Sequence, residues 1–247
     1  MIKVSSASLS FEHDGQFQNV LDDISFEIEV QDSCAIIGPS GCGKTSLLFL
    51  LAGILQPDSG TLAIAGNPRC GTILQNFGLF PWKTVAENIG LGLTLKNIDK
   101  DRIGRVVDQL IEEMDLAGFD NHFPGQLSGG MQQRVALARA LAVEPEILFM
   151  DEPLSSLDAL TRERLQNLIL DIIQKRKITT VLVTHSIEEA AFLGRKIIIL
   201  SRRPAQILKV VDNPGAVSSE YRLSEQFFQQ CIRLRELLKG EVNGQEA

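Results

Sequence analysis

The segment Gly38-Pro-Ser-Gly-Cys-Gly-Lys-Thr45 fills the pattern GxxxxGK[ST]. In that pattern glycines let the backbone wrap closely around an anion, and a cation and a hydroxyl follow at once. The successive N–H groups of Gly41, Cys42 and Gly43 are expected to point inward as an anion nest, and the start of the next helix adds partial positive charge. Lys44 would bring a full charge to the β- and γ-phosphates of a nucleotide, and the Thr45 hydroxyl would ligate Mg²⁺. An ordinary Gly-rich strand-to-helix turn would account for the glycines, but it does not call for the Lys-Thr pair. Cys42 lies beside Lys44 at a helix N-terminus, so its thiol is expected to be reactive and to be protected by bound nucleotide.

A second constellation is Ile147-Leu-Phe-Met-Asp-Glu-Pro153, an apolar run that ends in two carboxylates. In a parallel sheet the carboxyl ends of strands face the ligand crevice, which predicts that Asp151 and Glu152 arrive beside the phosphates. Side-chain alternation sends the two in different directions and suits two tasks. Asp151 would hold Mg²⁺ through water, and Glu152 would orient and polarise an attacking water. A third is Leu127-Ser-Gly-Gly-Met-Gln-Gln-Arg134, where Ser128 reads as the N-cap of a helix whose open end is another anion-binding terminus.

The elements that must carry these groups are legible in the pattern of apolar residues. Ala35–Ile37, Ile147–Met150, Thr180–Val183 and Ile197–Leu200 are short continuous apolar runs, as in strands covered on both faces. Helical patterns such as Ala159–Arg176 lie between them, so the expected class is α/β with a doubly wound, mostly parallel sheet. Ile24–Val30 alternates strictly, which predicts a half-buried antiparallel strand. From Ile103 onward Val106, Val107, Leu110, Ile111 and Met114 follow helical spacing, and no strong strand signal appears between Val85 and Leu141. That middle stretch is expected to be an inserted helical subdomain. Tyr221–Lys239 reads as one more amphipathic helix with Leu223, Phe227, Cys231, Leu234 and Leu238 on its buried stripe, fraying after Gly240.

Composition removes several functional classes. The 247 residues carry 24 Lys plus Arg against 31 Asp plus Glu, a formal charge of -7. The excess of basic residues that neutralises phosphates in nucleic-acid binders is missing, so no nucleic-acid partner is expected. The four cysteines, Cys34, Cys42, Cys70 and Cys231, form no CxxC pair, which argues against a zinc site and a disulfide framework. The amino-terminal residues lack the pattern of a secretory signal, and the longest apolar run, Leu47–Leu55, is about half a membrane span. Any membrane role is therefore expected to pass through a partner.

Leu127–Arg134, standing between the phosphate-loop motif and the Asp-Glu strand, resembles the signature motif of ABC ATPases, and the resemblance extends to about Ile207. It implies a P-loop NTPase core, formed by residues 1–84 and 142–210 with an N-terminal antiparallel β subdomain. Residues 85–141 would be the inserted helical subdomain and residues 211–247 a C-terminal helical tail, all within one ABC ATPase domain. It further implies ATP contacts from Gly38, Pro39, Ser40, Gly41, Cys42, Gly43, Lys44, Thr45 and Ser46, and from Ser128, Gly129 and Gly130 acting on the ATP of a second copy. Gln75 resembles the Q-loop glutamine that also reaches Mg²⁺, Ser155–Asp158 the D-loop, and His185 the switch histidine. Phe11 resembles the aromatic residue that stacks on adenine, with Phe17 the alternative. Two departures stand out: Ser186 where the family usually has Asp, a residue that caps equally well, and Gln31-Asp32 where Gly-Glu is common, which should alter only a turn.

At finer grain Leu79–Ile89, Leu157–Arg162 and Leu200–Pro204 resemble importers of nitrate, sulfonate, taurine and related solutes. With so short a tail, the regulatory barrel of sugar importers is not expected. The implied arrangement is a homodimer on the cytoplasmic face of the inner membrane, coupled to permease subunits and indirectly to a solute-binding protein. A non-transport ABC ATPase or a P-loop kinase for a small metabolite is the alternative; the first would show a coiled-coil insertion or tandem cassettes, and the second would not need Leu127–Arg134.

Overall fold

The computed structural model describes residues 1–13, 15–155 and 157–243. The chain divides into two compact units, residues 1–68 with 166–247 and residues 69–165.

The first unit begins with strands β1 (Ile2–His13) and β2 (Gln16–Ile28), which pair antiparallel. Strand β4 (Ser59–Ile64) pairs with the other edge of β1, giving the order β2-β1-β4. The alternation expected over Ile24–Val30 holds as far as Ile28, with Ile24, Phe26 and Ile28 buried and the residues between them exposed, but β2 ends there and Val30 is 63% exposed. The second layer contains β3 (Ser33–Ile37), β7 (Thr179–Val183) and β8 (Lys196–Leu200). These run parallel with β3 in the middle, and β9 (Ile207–Asp212) adds an antiparallel edge to β8. β3 and β7 are buried at every position, as continuous apolar runs require when both faces are covered.

Helix α1 (Lys44–Leu51) follows β3, and its Leu47, Leu48, Leu50 and Leu51 are wholly buried. A helix this apolar on all sides belongs in a core, and each such leucine contributes about 2 kcal/mol by leaving water. The longest apolar run of the chain thus gives a core helix as far as Leu51, while Gly53 and Ile54 beyond it are exposed. Among the described residues no helix is long and apolar enough to cross a membrane.

Helices α6 (Ile187–Leu193) and α7 (Glu225–Asn243) close the unit. Phe227, Cys231 and Leu234 are buried and Leu238 is half-buried, but Leu223 is 86% exposed, which corrects the expected stripe. Residues 221–223 form a separate 3-10 turn, so the phase of α7 starts after them. Tyr221 takes the buried place instead and donates from its hydroxyl to Asn213 Oδ1 at 2.6 Å. The helix passes Gly240 and continues to Asn243; residues 244–247, also expected to fray, lie outside the described residues.

The second unit pairs β5 (Cys70–Ile73) parallel with β6 (Ile147–Asp151). Between them come α2 (Val85–Leu95), α3 (Lys100–Glu113) and α4 (Gly129–Ala142), with no strand among the described residues of that stretch. The helical spacing read from Val106 onward matches the burial, with Val107, Leu110, Ile111 and Met114 buried and Val106 half-buried. Thr84 starts α2 with a capping box, accepting from Glu87 N while the Glu87 carboxylate accepts from Thr84 N. Helix α5 (Ala159–Arg176) spans the boundary of the two units, with the limits read from the sequence.

Candidate nucleotide site

In the first unit the phosphate-loop motif occupies the turn between β3 and α1. Gly41 and Gly43 have φ of 72° and 124°, and a Cβ on Gly43 would sit 2.9 Å from Val20 Cγ1. Only glycine fits there. Gly43 has no side chain with which to cap α1, so the first-turn N–H groups face outward toward whatever anion sits over them. Lys44 is only 6% exposed, and its Nζ donates to the carbonyls of Gly38 at 3.0 Å and Pro39 at 2.9 Å. Those bonds hold the ammonium over the mouth of the loop. Cys42 N, expected to face inward with its neighbours, donates to Pro39 O at 3.3 Å.

His185 follows β7, the parallel neighbour of β3, so it leaves the sheet at the edge from which the phosphate loop starts. Its turn is well held. Thr184 donates to the Glu189 carboxylate and accepts from Ser186 N at 3.0 Å, and Ser186 Oγ accepts from Glu189 N at 3.2 Å. Ser186 therefore caps α6 as Asp would. The two candidate stacking rings lie on the β1–β2 hairpin but on opposite faces of it, since Glu12 pairs with Phe17 and Phe11 with Gln18. Both are exposed, Phe17 more than Phe11.

In the second unit β6 ends at Asp151, which is 2% exposed, and Glu152 leaves the strand in the left-handed region at φ 45°. That reversal separates the directions of the two carboxylates. Because β5 and β6 are parallel neighbours, Gln75 emerges beside Glu152, and its Nε2 donates to Glu152 Oε2 at 3.3 Å. The structure so joins two of the predicted catalytic residues. Ser128 caps α4 through its Oγ, which accepts from Met131 N at 3.3 Å. Gly130 sits so close to Thr161 that a Cβ would lie 2.8 Å from its Cγ2. Asp158 accepts from the Thr161 and Leu160 N–H groups at 3.0 and 3.1 Å. The Thr161 side chain and these N–H groups hold its carboxyl below the usual range. Ser156, within the expected D-loop, lies outside the described residues. Among the described residues no three His, Cys, Asp or Glu cluster as a metal site.

Two residues that sequence reasoning did not single out brace the segment after Gln75. Asn88 is fully buried; its Oδ1 accepts from Phe80 N at 2.9 Å, and its Nδ2 donates to the carbonyls of Phe80, Lys83 and Thr84. Arg139 donates to Gly78 O at 2.6 Å and Phe77 O at 2.7 Å, and burial pushes its guanidinium below its ordinary pKa. A poor helix former inside α2 is the local signal for Asn88. For Arg139 the signal is a charge among alanines.

The sequence model of the ABC transporter family matches residues 21–155, more than half of the chain. The chain belongs to that family. An uncharacterized ABC transporter ATP-binding protein of Methanocaldococcus jannaschii is 40% identical over 247 residues, covering 98% of this chain and 92% of its own. The taurine import ATP-binding protein TauB of Pelagibacter ubique is 43% identical over 208 residues, 82% of this chain and 78% of its own. The aliphatic sulfonates import ATP-binding protein SsuB of Bacillus subtilis is 42% identical over 216 residues, 85% and 84%. Among solved structures, the dimeric post-hydrolysis state of the ATP-binding cassette MJ0796 bound to ADP and Pi superposes with a TM-score of 0.78. It is 28% identical and covers 86% of this chain and 98% of that one. The α/β reading, with its mostly parallel sheet, is thus that of an ABC cassette.

In this ABC cassette the placement of Cys42 opposes the reactivity expected of it. Its side chain is 2% exposed and turned under the loop, where a Cβ on Gly38 would meet its Sγ at 3.1 Å. Burial raises its thiol pKa, and the nearby Lys44 ammonium offsets this only in part. Cys34 is pushed up to about 12 and Cys231 to about 11, also by burial. Cys70 alone among the four is exposed. N-ethylmaleimide at pH 7 is therefore expected to label Cys70 first and to leave nucleotide binding intact, as peptide mass spectrometry beside a fluorescent-nucleotide titration will report. Early labelling of Cys42 would restore the reactive-thiol reading.

Proposed function

We propose that the chain is the ATP-binding and hydrolysing subunit of an importer that moves a small solute of the nitrate, sulfonate or taurine class through a separate membrane permease. One observation carries this reading: a complete phosphate-loop motif and a signature motif stand in a chain over 40% identical to taurine and sulfonate import ATP-binding proteins. A P-loop kinase has no use for the second motif.

Gly38–Ser46 bind the phosphates through backbone N–H groups and Lys44, and the exposed ring of Phe11 stacks on the adenine. The Thr45 hydroxyl, the Gln75 amide oxygen and the Asp151 carboxylate are all hard oxygen donors, and that chemistry fits Mg²⁺. When bound, Mg²⁺ neutralises phosphate charge. Glu152 accepts a proton from the attacking water, Gln75 positions Glu152, and His185 donates to the γ-phosphate. Ser128, Gly129 and Gly130 act on the ATP of a second copy, and Asp158 lies at the same junction. The dimeric form of MJ0796 supports a pairing of two copies. ATP closes the dimer and hydrolysis reopens it, a two-state element biased by the γ-phosphate. The motion passes to the permease through Gln75–Trp82 at the cytoplasmic face of the inner membrane. A solute-binding protein delivers the solute on the far side, and the solute crosses the membrane through the permease.

The test is to co-purify the chain in detergent with the permease encoded beside it and to measure phosphate release from ATP without an acceptor. A stable complex that releases phosphate is expected. ADP formation only after a small-molecule acceptor is added, with the phosphoryl group carried on the acceptor and no free phosphate, would favour a kinase, and phosphate release without any permease complex would favour a non-transport ATPase.

A further inference from the structure

At the amino ends of β3, β7 and β8 the first unit holds a cavity of about 160 Å³. Its floor is apolar, from Ile173 and Val217, and its walls are polar, from Gln31, Ser33, Gln174, Lys177 and Arg195. The phosphate loop leaves β3 at the opposite end, so five residues at roughly 3.3 Å each separate the two sites.

Two features point to an anion, and a third to a ligand site. First, two cations line the cavity and no carboxylate does, in a chain of formal charge -7. Among the described residues neither the Lys177 nor the Arg195 side chain has an ion-pair partner. The nearby Asp32 carboxylate is taken up by the Ser33 N–H at 2.8 Å. Second, Ser33 is 2% exposed, and its Oγ already accepts from Arg195 N at 3.0 Å. Its hydroxyl proton is left to donate into the cavity.

Third, the backbone around the cavity is strained. Gln31, Lys177 and Val217 lie at φ of 62°, 51° and 63°. For a β-branched residue that is a true outlier, and such strain persists where the surrounding structure over-determines it, often at ligand clamps. Val217 is pinned by Gln174 Nε2, which donates to its carbonyl at 2.6 Å, and by its own N–H, which donates to Phe192 O at 3.0 Å. Glycine at position 31 would be unstrained. Glutamine there costs stability and adds an amide NH₂ to the cavity wall.

We propose that this cavity binds a small oxyanion, either alone or on a short apolar stem, as in sulfate, phosphate or a short-chain sulfonate. Lys177 and Arg195 supply the charge, and Ser33 and Gln31 the neutral donors. The size agrees, since a cavity of about 150 Å³ holds a ligand of six heavy atoms.

The test is calorimetric titration of the full chain, saturated with a non-hydrolysable Mg·ATP analogue so that the phosphate loop is covered, at constant ionic strength in chloride. The probes are sodium sulfate, sodium phosphate and sodium ethanesulfonate. At least one is expected to bind saturably with Kd of about 1 mM or tighter, and at least tenfold more weakly to the Lys177→Gln/Arg195→Gln double variant. Tighter ethanesulfonate binding places an organic stem on Ile173 and Val217, whereas tighter sulfate or phosphate binding makes the headgroup the whole ligand. Gln31→Gly, which keeps the fold even if the double variant does not, is expected to raise the unfolding temperature while weakening the same probe several-fold. No saturable binding by any probe overturns the proposal. So does wild-type affinity in the double variant or, should that variant fail to fold, in Gln31→Gly.

Discussion

Glu152→Gln is expected to bind ATP with unchanged affinity and to turn it over about 10²- to 10⁴-fold more slowly, the usual worth of a positioned general base. The substitution conserves shape. Glutamine keeps an oxygen that can accept the bond Gln75 Nε2 now makes at 3.3 Å, and it tolerates the left-handed φ of 45° about as well as glutamate. What disappears is the proton acceptor. With hydrolysis blocked, the ATP-bound dimer should accumulate as an earlier peak on size exclusion. Steady-state phosphate release and an equilibrium nucleotide titration separate the two effects. A turnover near that of the wild type would remove Glu152 from the role of base.

Ser128→Arg is expected to leave ATP binding by the monomer unchanged and to abolish hydrolysis. Ser128 is exposed at the start of α4, so the larger side chain meets no neighbour within its own helix. Loss of the bond from Met131 N removes a helix cap worth about 1 kcal/mol, which thermal unfolding will register. The effect on activity should be far larger, because the introduced guanidinium would occupy the place meant for the partner's γ-phosphate. Mixing Ser128→Arg with Lys44→Ala discriminates sharing in trans from action in cis. A heterodimer of the two has one site with both lesions and one with neither, so phosphate release should reappear on mixing. Two variants that stay inactive when mixed, with monomer affinity lost equally in both, would sink the shared site.

Much of the candidate site was legible because its determinants are local. A capping serine and a lysine six residues past Gly38 each act within a single turn, so spacing alone locates them, whereas the Cys42 N–H expected in an anion nest donates to Pro39 O. The caps at Ser128 and Ser186 are where the residue types put them. Buried parallel strands leave equally local traces, since a strand covered on both faces has no polar position to spare. Hence β3, β6, β7 and β8 were readable to within a residue or two.

What sequence spacing could not reach were contacts between distant segments. Cys42 reads as a helix-terminus thiol, and only packing of the loop beneath Gly38 turns it into a buried one. Leu223 fits a stripe drawn through 221–239, but the Tyr221–Asn213 bond takes that turn out of the helix and rotates Leu223 outward. Asn88 and Arg139 acquire their roles from carbonyls that a loop brings back to them, which no periodicity encodes. The oxyanion cavity is the extreme case: its cations lie on turns before β7 and β8 and its strained glutamine before β3, and they meet only because those three strands are neighbours. By itself, then, the sequence determined the nucleotide chemistry, because phosphate recognition needs only one loop and one helix end. Burial, side-chain partners and that cavity were decided by the tertiary structure, because each is a property of groups far apart in the chain.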